Sequence, residues 1–504
     1  MQEFVPIPLG TPIPDSPHAV SCSLPTMASV RGYEERDPAV TSRLLSGYPR
    51  FVVHPFARRL GAELARRHGL GKRTLWLASS RRMAAALLAH LKAAGPAGRD
   101  AALFAKDGAH GVSHPESPEL SLRSKLYLQN IGGFISSREA EDILAATGAG
   151  PQPGREEYFP GNAEAEVVRS LKPLFAGTRT ADLLLANSGM NAVHAAFCAV
   201  NSLQAPKGRT AWVQLGCLYL DTIAILKKFT PSPSDYIHVR DVLDMASVGR
   251  LFEERGDRIA GVIAEVPTNP LIETPDVAEL AALCRRHEIK LILDPSVASA
   301  YSVDCLPHAD LVVSSLTKYT GNEGDVIAGL VAVNPGGPDA GHLRETAASV
   351  VESPYRRDLS RLAAQIGNTE AVLSRIHEST PKVAAFLASH PAVSATYWAH
   401  SPRARENYGR IARARHATGG MISFSLRGSL EAFYDRLRLP KGPSFGMRTT
   451  LICPFMYLAH YDLVTTPSGR AELAANGLDP DLLRLCVGTE PVDDIIAALG
   501  EALG

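Results

Sequence analysis

Short, evenly apolar runs alternating with longer stretches of helical patterning dominate the middle of the chain. Leu291–Leu293 and Leu311–Val313 are too short and too uniformly apolar for an amphipathic helix, and they predict buried parallel strands. Comparable runs precede them at Asp182–Ala186, Ala211–Leu215, Tyr236–Val239 and Ile259–Glu265, with helix signals between. Such alternation predicts an α/β unit, a mostly parallel sheet covered by helices. Upstream, Thr74–Ala78 and Ala101–Phe104 read as strands and Arg81–Ala93 as an Ala/Leu-rich helix, a second α/β-looking region. Downstream, helical patterning runs from about His342 to His390 with interruptions near Pro354 and Pro381. The strands Met421–Leu426 and Leu485–Val487 and a final helix Asp493–Leu503 follow.

Punctuation divides these patterns. The Pro- and Ser-rich first 25 residues predict an extended arm or a disordered tail. GAGPQPG (Gly148–Gly154) marks a linker and NPGGPD (Asn334–Asp339) closes the alternating unit. The resulting division is an arm (1–46), an α/β extension (47–154), a large domain (155–340), and bridging helices with a smaller α+β domain (341–504).

The two runs first named end in chemistry. Leu291–Leu293 delivers Asp294, and Leu311–Val313 delivers Ser314, Ser315, Thr317 and Lys318. Ligands of open α/β sheets bind at the carboxyl ends of strands, so the carboxylate and the amine should face one pocket. A lysine can hold the aldehyde of pyridoxal phosphate (PLP) as a Schiff base, while a carboxylate at the pyridine nitrogen keeps the ring an electron sink. Ser315 and Thr317 are hydroxyl donors suited to the phosphate.

Further candidates follow other strands. Ser188-Gly189-Met190 opens a helix whose N-terminal amides could take a phosphate. Tyr219 could lie on a cofactor ring, and Asn269 in EVPTNP could donate to its phenolate oxygen. Arg484 in LLRLCVGTE offers the planar fork that grips an amino-acid carboxylate.

Composition narrows the setting. The chain has 504 residues, 45% hydrophobic and 21% charged, with zero formal net charge. It carries no basic excess that would indicate a nucleic-acid partner and no apolar run of membrane-spanning length. Seven cysteines without metal-type spacing, and a start lacking a secretory pattern, predict reduced thiols in the cytoplasm and no metal site.

Taken together, SSLTKY, EVPTNPL, SGM, LYLDT and LRLCVGTE resemble the cystathionine γ-synthase family of PLP enzymes. GYPRFVVHP, FISSREAE, SPRARENY and KGPSFGMRTTLICPFMYLAHYDL resemble its long, fungal-type branch. The resemblance implies an aspartate-aminotransferase-like (fold type I) architecture. It implies Lys318 as the Schiff-base lysine, Asp294 at the pyridine nitrogen and Tyr219 as stacking ring and proton shuttle. Asn269 then stands near the phenolate, Ser188, Gly189, Met190, Ser315 and Thr317 at the phosphate, and Arg484 on the substrate carboxylate.

Departures from the family pattern bear on substrate. The Tyr-x-Arg pair that reaches a neighbouring subunit's phosphate is absent from EEYFPGN, whereas Tyr48 and Arg50 fit its spacing farther upstream. LYLDT places Asp221 where the family has glycine, and SFGMRTTL puts Thr450 where a serine would help hold the carboxylate.

The implied activity is γ-replacement, an O-acyl-L-homoserine plus L-cysteine giving cystathionine, as in methionine biosynthesis. The alternative is a γ-lyase or a specialised C–S or C–C bond-forming relative; a non-catalytic member is disfavoured by intact Lys318, Asp294 and Arg484. Small amino-acid substrates and a homodimer or homotetramer with shared sites are also implied.

Overall fold

The computed structural model describes residues 4–47, 52–475 and 477–504. At its centre is a seven-stranded sheet: β1 (Leu183–Ala186), β2 (Ala211–Leu215), β3 (Tyr236–Val239), β4 (Ile259–Glu265), β5 (Lys290–Asp294), β6 (Leu311–Ser315) and β7 (Gly329–Val333). Their order is β1-β7-β6-β5-β4-β2-β3. The pairs β6/β5, β5/β4, β4/β2 and β2/β3 are parallel, and β7 runs antiparallel to both β6 and β1.

Buried Val, Ile, Leu and Ala residues cover both faces of this sheet, which is why its strands lack polar alternation. β7 was not among the predicted strands. Its run GLVAV is as apolar as the others, but it returns directly from β6 without a crossover helix, so the β–helix rhythm does not mark it.

The upstream region departs from the doubly wound pattern. Its three strands, Arg73–Ala78, Ala109–Pro115 and Ala102–Lys106, form an antiparallel sheet with the middle-listed strand in the centre. The helices Pro55–Arg67, Arg81–Lys92, Pro118–Ile131 and Ser137–Ala146 accompany it. The helix Arg81–Lys92 joins Arg73–Ala78 to Ala102–Lys106 in the expected strand–helix–strand order, and the tight turn at Asp107 and Gly108, both with positive φ, adds an unpredicted third strand between them as a hairpin.

C-terminal to the central sheet, the strands Val393–Trp398, Met421–Leu426, Leu483–Cys486 and Leu451–Pro454 form an antiparallel sheet in that order. Its inner face packs on the helices Thr369–Ser389 and Val492–Leu503. The helical region before it breaks after Val350 and again at Gly367–Asn368. It does not break at Pro381, which lies inside Thr369–Ser389. Burial of Ile376, Thr380, Val383 and Ala384 on either side holds that helix together through the missing N–H.

Of the two forms open to the N-terminal stretch, the structure shows the arm. Pro12–Ile13 pairs with Ser21–Cys22, and Cys22, Leu24, Met27 and Val30 join the core of the C-terminal sheet. Among the described residues no helix is long and apolar enough to cross a membrane.

Candidate active site

Three polypeptide regions converge at the carboxyl edge of the central sheet. β4 ends in Glu265 and β5 in Asp294, and the parallel register places these two residues side by side. β6 ends in Ser315, three residues before Lys318. The central strand of the C-terminal sheet contributes Arg484, and the loop leading to Leu451 contributes Ser444 and Phe445. Together with Gly189, Met190, Tyr219 and Asn269 they line a cavity of about 120 Å³.

Lys318 is buried, and its Nζ donates to Ser444 Oγ at 2.6 Å and stands 4.9 Å from the centre of the Phe445 ring. Burial, reinforced by the nearby Arg484 guanidinium, lowers its pKa to about 7. A substantial share of the amine is therefore unprotonated and nucleophilic near neutrality.

Asp294 caps its own turn by accepting the Ser296 amide at 2.9 Å, and Ser296 Oγ in turn accepts the Ser315 amide at 2.8 Å. Burial raises the Asp294 carboxyl to about 6 against these hydrogen bonds. Glu265 accepts the Tyr219 amide at 2.5 Å through Oε1, while its buried Oε2 has no hydrogen-bond partner. Burial and the adjacent Asp294 push it well above the ordinary carboxylate range.

Arg484 donates to Ser444 O at 3.1 Å and lies between the Phe445 and Phe455 rings, 5.1 and 4.9 Å from their centres. Asn269 Oδ1 is 3.5 Å from its Nη1. The fork is thus sandwiched and aimed at the cavity.

The Ser188 hydroxyl caps the helix Gly189–Gln204 by accepting the Asn191 amide, which leaves the Gly189 and Met190 N–H groups at the helix mouth. A Cβ on Gly189 would stand 2.9 Å from Ser315 Cβ, so only glycine lets this turn approach β6. Beside it the buried Ser315 Oγ has no partner.

Other predicted site residues lie elsewhere. Thr317 does not line the cavity; its hydroxyl accepts the Ala328 amide at 3.1 Å. Thr450 is fully buried behind the site, donating to Glu490 Oε2 at 2.7 Å and accepting the Gly488 amide. Met447 packs against Ile13 and Val20, and Arg448 pairs with Glu323. Asp221 lines a second cavity of about 720 Å³, which meets the first at Met190 and Tyr219. It accepts from Gln129 Nε2 at 2.6 Å and Asn130 Nδ2 at 3.1 Å, both from the upstream region. Tyr48 and Arg50 lie outside the described residues.

Sequence reasoning placed Glu265 at a strand end without giving it a role and did not single out Ser296. The signal for Ser296 was an Asx-type turn, Asp-Pro-Ser, directly after the strand.

The chain matches the family described as Cys/Met metabolism PLP-dependent enzymes over residues 167–504. It belongs to that family. It is 39% identical to an L-2-amino-4-chloropent-4-enoate dechlorinase/desaturase of Streptantibioticus cattleyicolor, over 97% of each chain. It is 26% identical to a cystathionine γ-synthase of Neurospora crassa, over 99% of this chain and 98% of that one. In fold it resembles a cystathionine γ-synthase of Xanthomonas oryzae, with TM-score 0.57 and 22% identity over 72% of this chain and 95% of the other.

As a member of this family the protein is a PLP-dependent enzyme of fold type I, with a smaller C-terminal domain. The donor set fits the cofactor: a buried lysine whose pKa is lowered to about 7, a carboxyl at a strand end, and a hydroxyl without a partner among the described residues beside a helix mouth.

Proposed function

We propose that this enzyme eliminates a leaving group from the γ-carbon of an L-α-amino acid, with a halide as the leaving group. The observation carrying this reading is the 39% identity over nearly the whole of both chains to a dechlorinase/desaturase. The substrate in that relative's name bears chlorine on C4, which is the γ-carbon. The coarser chemistry, synthase- or lyase-type reaction on Cys/Met-like amino acids, belongs to the family.

In this reading Lys318 holds the cofactor, Asp294 meets its pyridine nitrogen, and the Gly189 and Met190 amides with Ser315 Oγ take its phosphate. Ser188 orders that turn, and Thr317 serves it indirectly by fixing the backbone after β6. Tyr219 covers the ring and Asn269 stands at the phenolate edge. PLP, when bound, supplies the electron sink that acidifies the hydrogens at the α- and β-carbons. Arg484 fixes the substrate carboxylate, which turns the α-hydrogen toward Lys318. Released from the cofactor, the Lys318 amine takes that proton, and Ser444 Oγ keeps it within reach. Tyr219 is placed to move a proton on the opposite side. The Phe445 and Phe455 rings exclude water from the carboxylate clamp.

Tyr48 and Arg50 are retained as the contact to a neighbouring subunit's phosphate, in a cytoplasmic homodimer or homotetramer with shared sites. Light scattering on the purified protein tests the assembly, a monomeric mass counting against it. Asp221, held by Gln129 and Asn130 next to Tyr219, is assigned to the choice of substrate. Thr450 acts on the carboxylate only through the Glu490-bound turn behind Arg484.

A second reading, cystathionine γ-synthase in methionine biosynthesis, is favoured by the full-length match to the Neurospora crassa enzyme. The holoenzyme is to be incubated with L-2-amino-4-chloropent-4-enoate. In parallel it is given acetyl-, succinyl- and phospho-homoserine, each with and without cysteine. Chloride release without thiol is the expected result. Cystathionine formation with no chloride release overturns the first reading in favour of the second.

A further inference from the structure

The arm has a use that its distance in sequence from every site residue conceals. The loop 441–447 is held between the arm on one side and the cavity on the other. From the arm, Ser21 Oγ donates to Pro443 O at 2.5 Å, and the Leu24 amide donates to Lys441 O at 2.9 Å. A Cβ on Gly442 would meet Cys22 O at 2.4 Å and Ser21 Oγ at 2.9 Å, so arm and loop meet at a separation only glycine allows. Ile13 and Val20 pack against Met447 and Leu451, and Ser46 Oγ donates to Ser21 O at 3.0 Å.

On its other side the same loop presents Ser444, one residue after Pro443. Ser444 Oγ accepts from Lys318 Nζ and its carbonyl accepts from Arg484. Ser444 has φ +84°, a left-handed conformation that a non-glycine residue keeps only where its surroundings impose it.

We propose that residues 12–24 are a working part of the active site, with Ser21 a positioning residue that acts through Pro443 to hold Ser444 against Lys318 and Arg484. The proposal rests on Lys318 being the cofactor-bearing lysine and is independent of which leaving group the enzyme removes. The titratable groups that line the cavity with Lys318 are Arg484, Asp294, Glu265, Tyr219, Cys453 and His460, and Cys486 lies beside it. The arm contributes none of these, so its influence is transmitted by geometry.

The test is a pH titration of the visible absorbance band of the bound cofactor in holoenzyme, without substrate, in wild type, Ser21→Ala, Ser444→Ala and the double variant. Ser21→Ala is expected to move the midpoint by about half a unit, what one ordinary hydrogen bond is worth on that scale. In the Ser444→Ala background it is expected to move it no further, because the two act in series. An unshifted midpoint in Ser21→Ala, or shifts that add, overturns the proposal. If Ser21→Ala does not fold with cofactor, Ser21→Cys, which fills the same space but donates only weakly to Pro443 O, is read instead. A midpoint equal to wild type there overturns it too. Absence of chloride release would defeat the elimination reading and leave this titration unaffected.

Discussion

Residue identity sets the chemistry at Lys318, and burial sets its pH range. An ammonium removed from water loses hydration, so the neutral amine is favoured and the pKa falls from 10.5 to about 7. The amine is nucleophilic above that value and protonated below it. Recombination of apoenzyme with PLP, followed by stopped-flow absorbance, is expected to slow as pH drops through about 7. A limb near 10 would show the lysine to be solvated, and Lys318→Ala should give no borohydride-reducible adduct by mass spectrometry. The orphaned Ser315 hydroxyl carries a second prediction. Ser315→Ala removes one donor to a charged phosphate, worth about 1.5–3 kcal/mol, and should raise the PLP dissociation constant roughly 10- to 100-fold. Equilibrium fluorescence titration measures it, and unchanged affinity would move the phosphate elsewhere. That Lys318, Asp294 and Ser315 meet at one cavity was legible because each lies at or shortly after the end of an apolar run. The setting of Ser444 was not, because its bond to Lys318 joins positions 126 apart. Thr450 failed to reach the cavity for a similar reason: Glu490, 40 residues on, claims its hydroxyl.

At the scale of elements, the end of one upstream helix decides how Asp221 is held. Pro118–Ile131 finishes with Gln129 and Asn130 against that carboxylate, and Asn130 Oδ1 accepts from Lys228 Nζ at 2.7 Å. The exposed Lys228 and the buried Asp221 thus share the Asn130 amide between two helices. Asn130→Ala removes one of the two amides on Asp221 and leaves Gln129 in place, so it should cost about 1 kcal/mol in urea unfolding, with altered selectivity among γ-substituents. An equal loss of stability with unchanged selectivity would remove Asp221 from substrate choice. Periodicity located β2 and β4 at their observed bounds because a strand buried on both faces is a largely apolar run, and it also located β3, the edge strand, which exposes His238. The same signal missed Ala109–Pro115, whose AHGVSHP is no continuous apolar run, so the hairpin at the centre of the upstream sheet was not predicted. Pro381 marked a helix end by local rule, and packing on both sides overrode it.

On the scale of the whole molecule, the upstream region, the large domain and the bridging helices are fastened by one buried cation. Arg138, only 1% exposed, pairs with Glu156 at 2.6 Å, Asp358 at 2.8 Å and Asp325 at 3.6 Å, and His18 of the arm stands 3.3 Å from neighbouring Glu141. Burial alone would raise the Glu156 carboxyl, but the Arg138 guanidinium overrides it and holds it at about 2 against an ordinary 4.5. The sign follows: this depressed carboxylate contributes stability fully above about pH 4.5 and loses it as pH falls toward 2. Arg138→Met removes a buried cation from three carboxylates, of which Glu156 keeps Arg357 and Asp325 keeps Arg361, so a loss of about 3 kcal/mol is expected at pH 7. Without the guanidinium the Glu156 carboxyl titrates higher, so acidification relieves its unpaired charge in the variant while it weakens the wild type. Urea midpoints measured from pH 7 down to pH 4 should therefore converge. Parallel curves over that range would show that Arg138 holds the three regions together by packing rather than by charge.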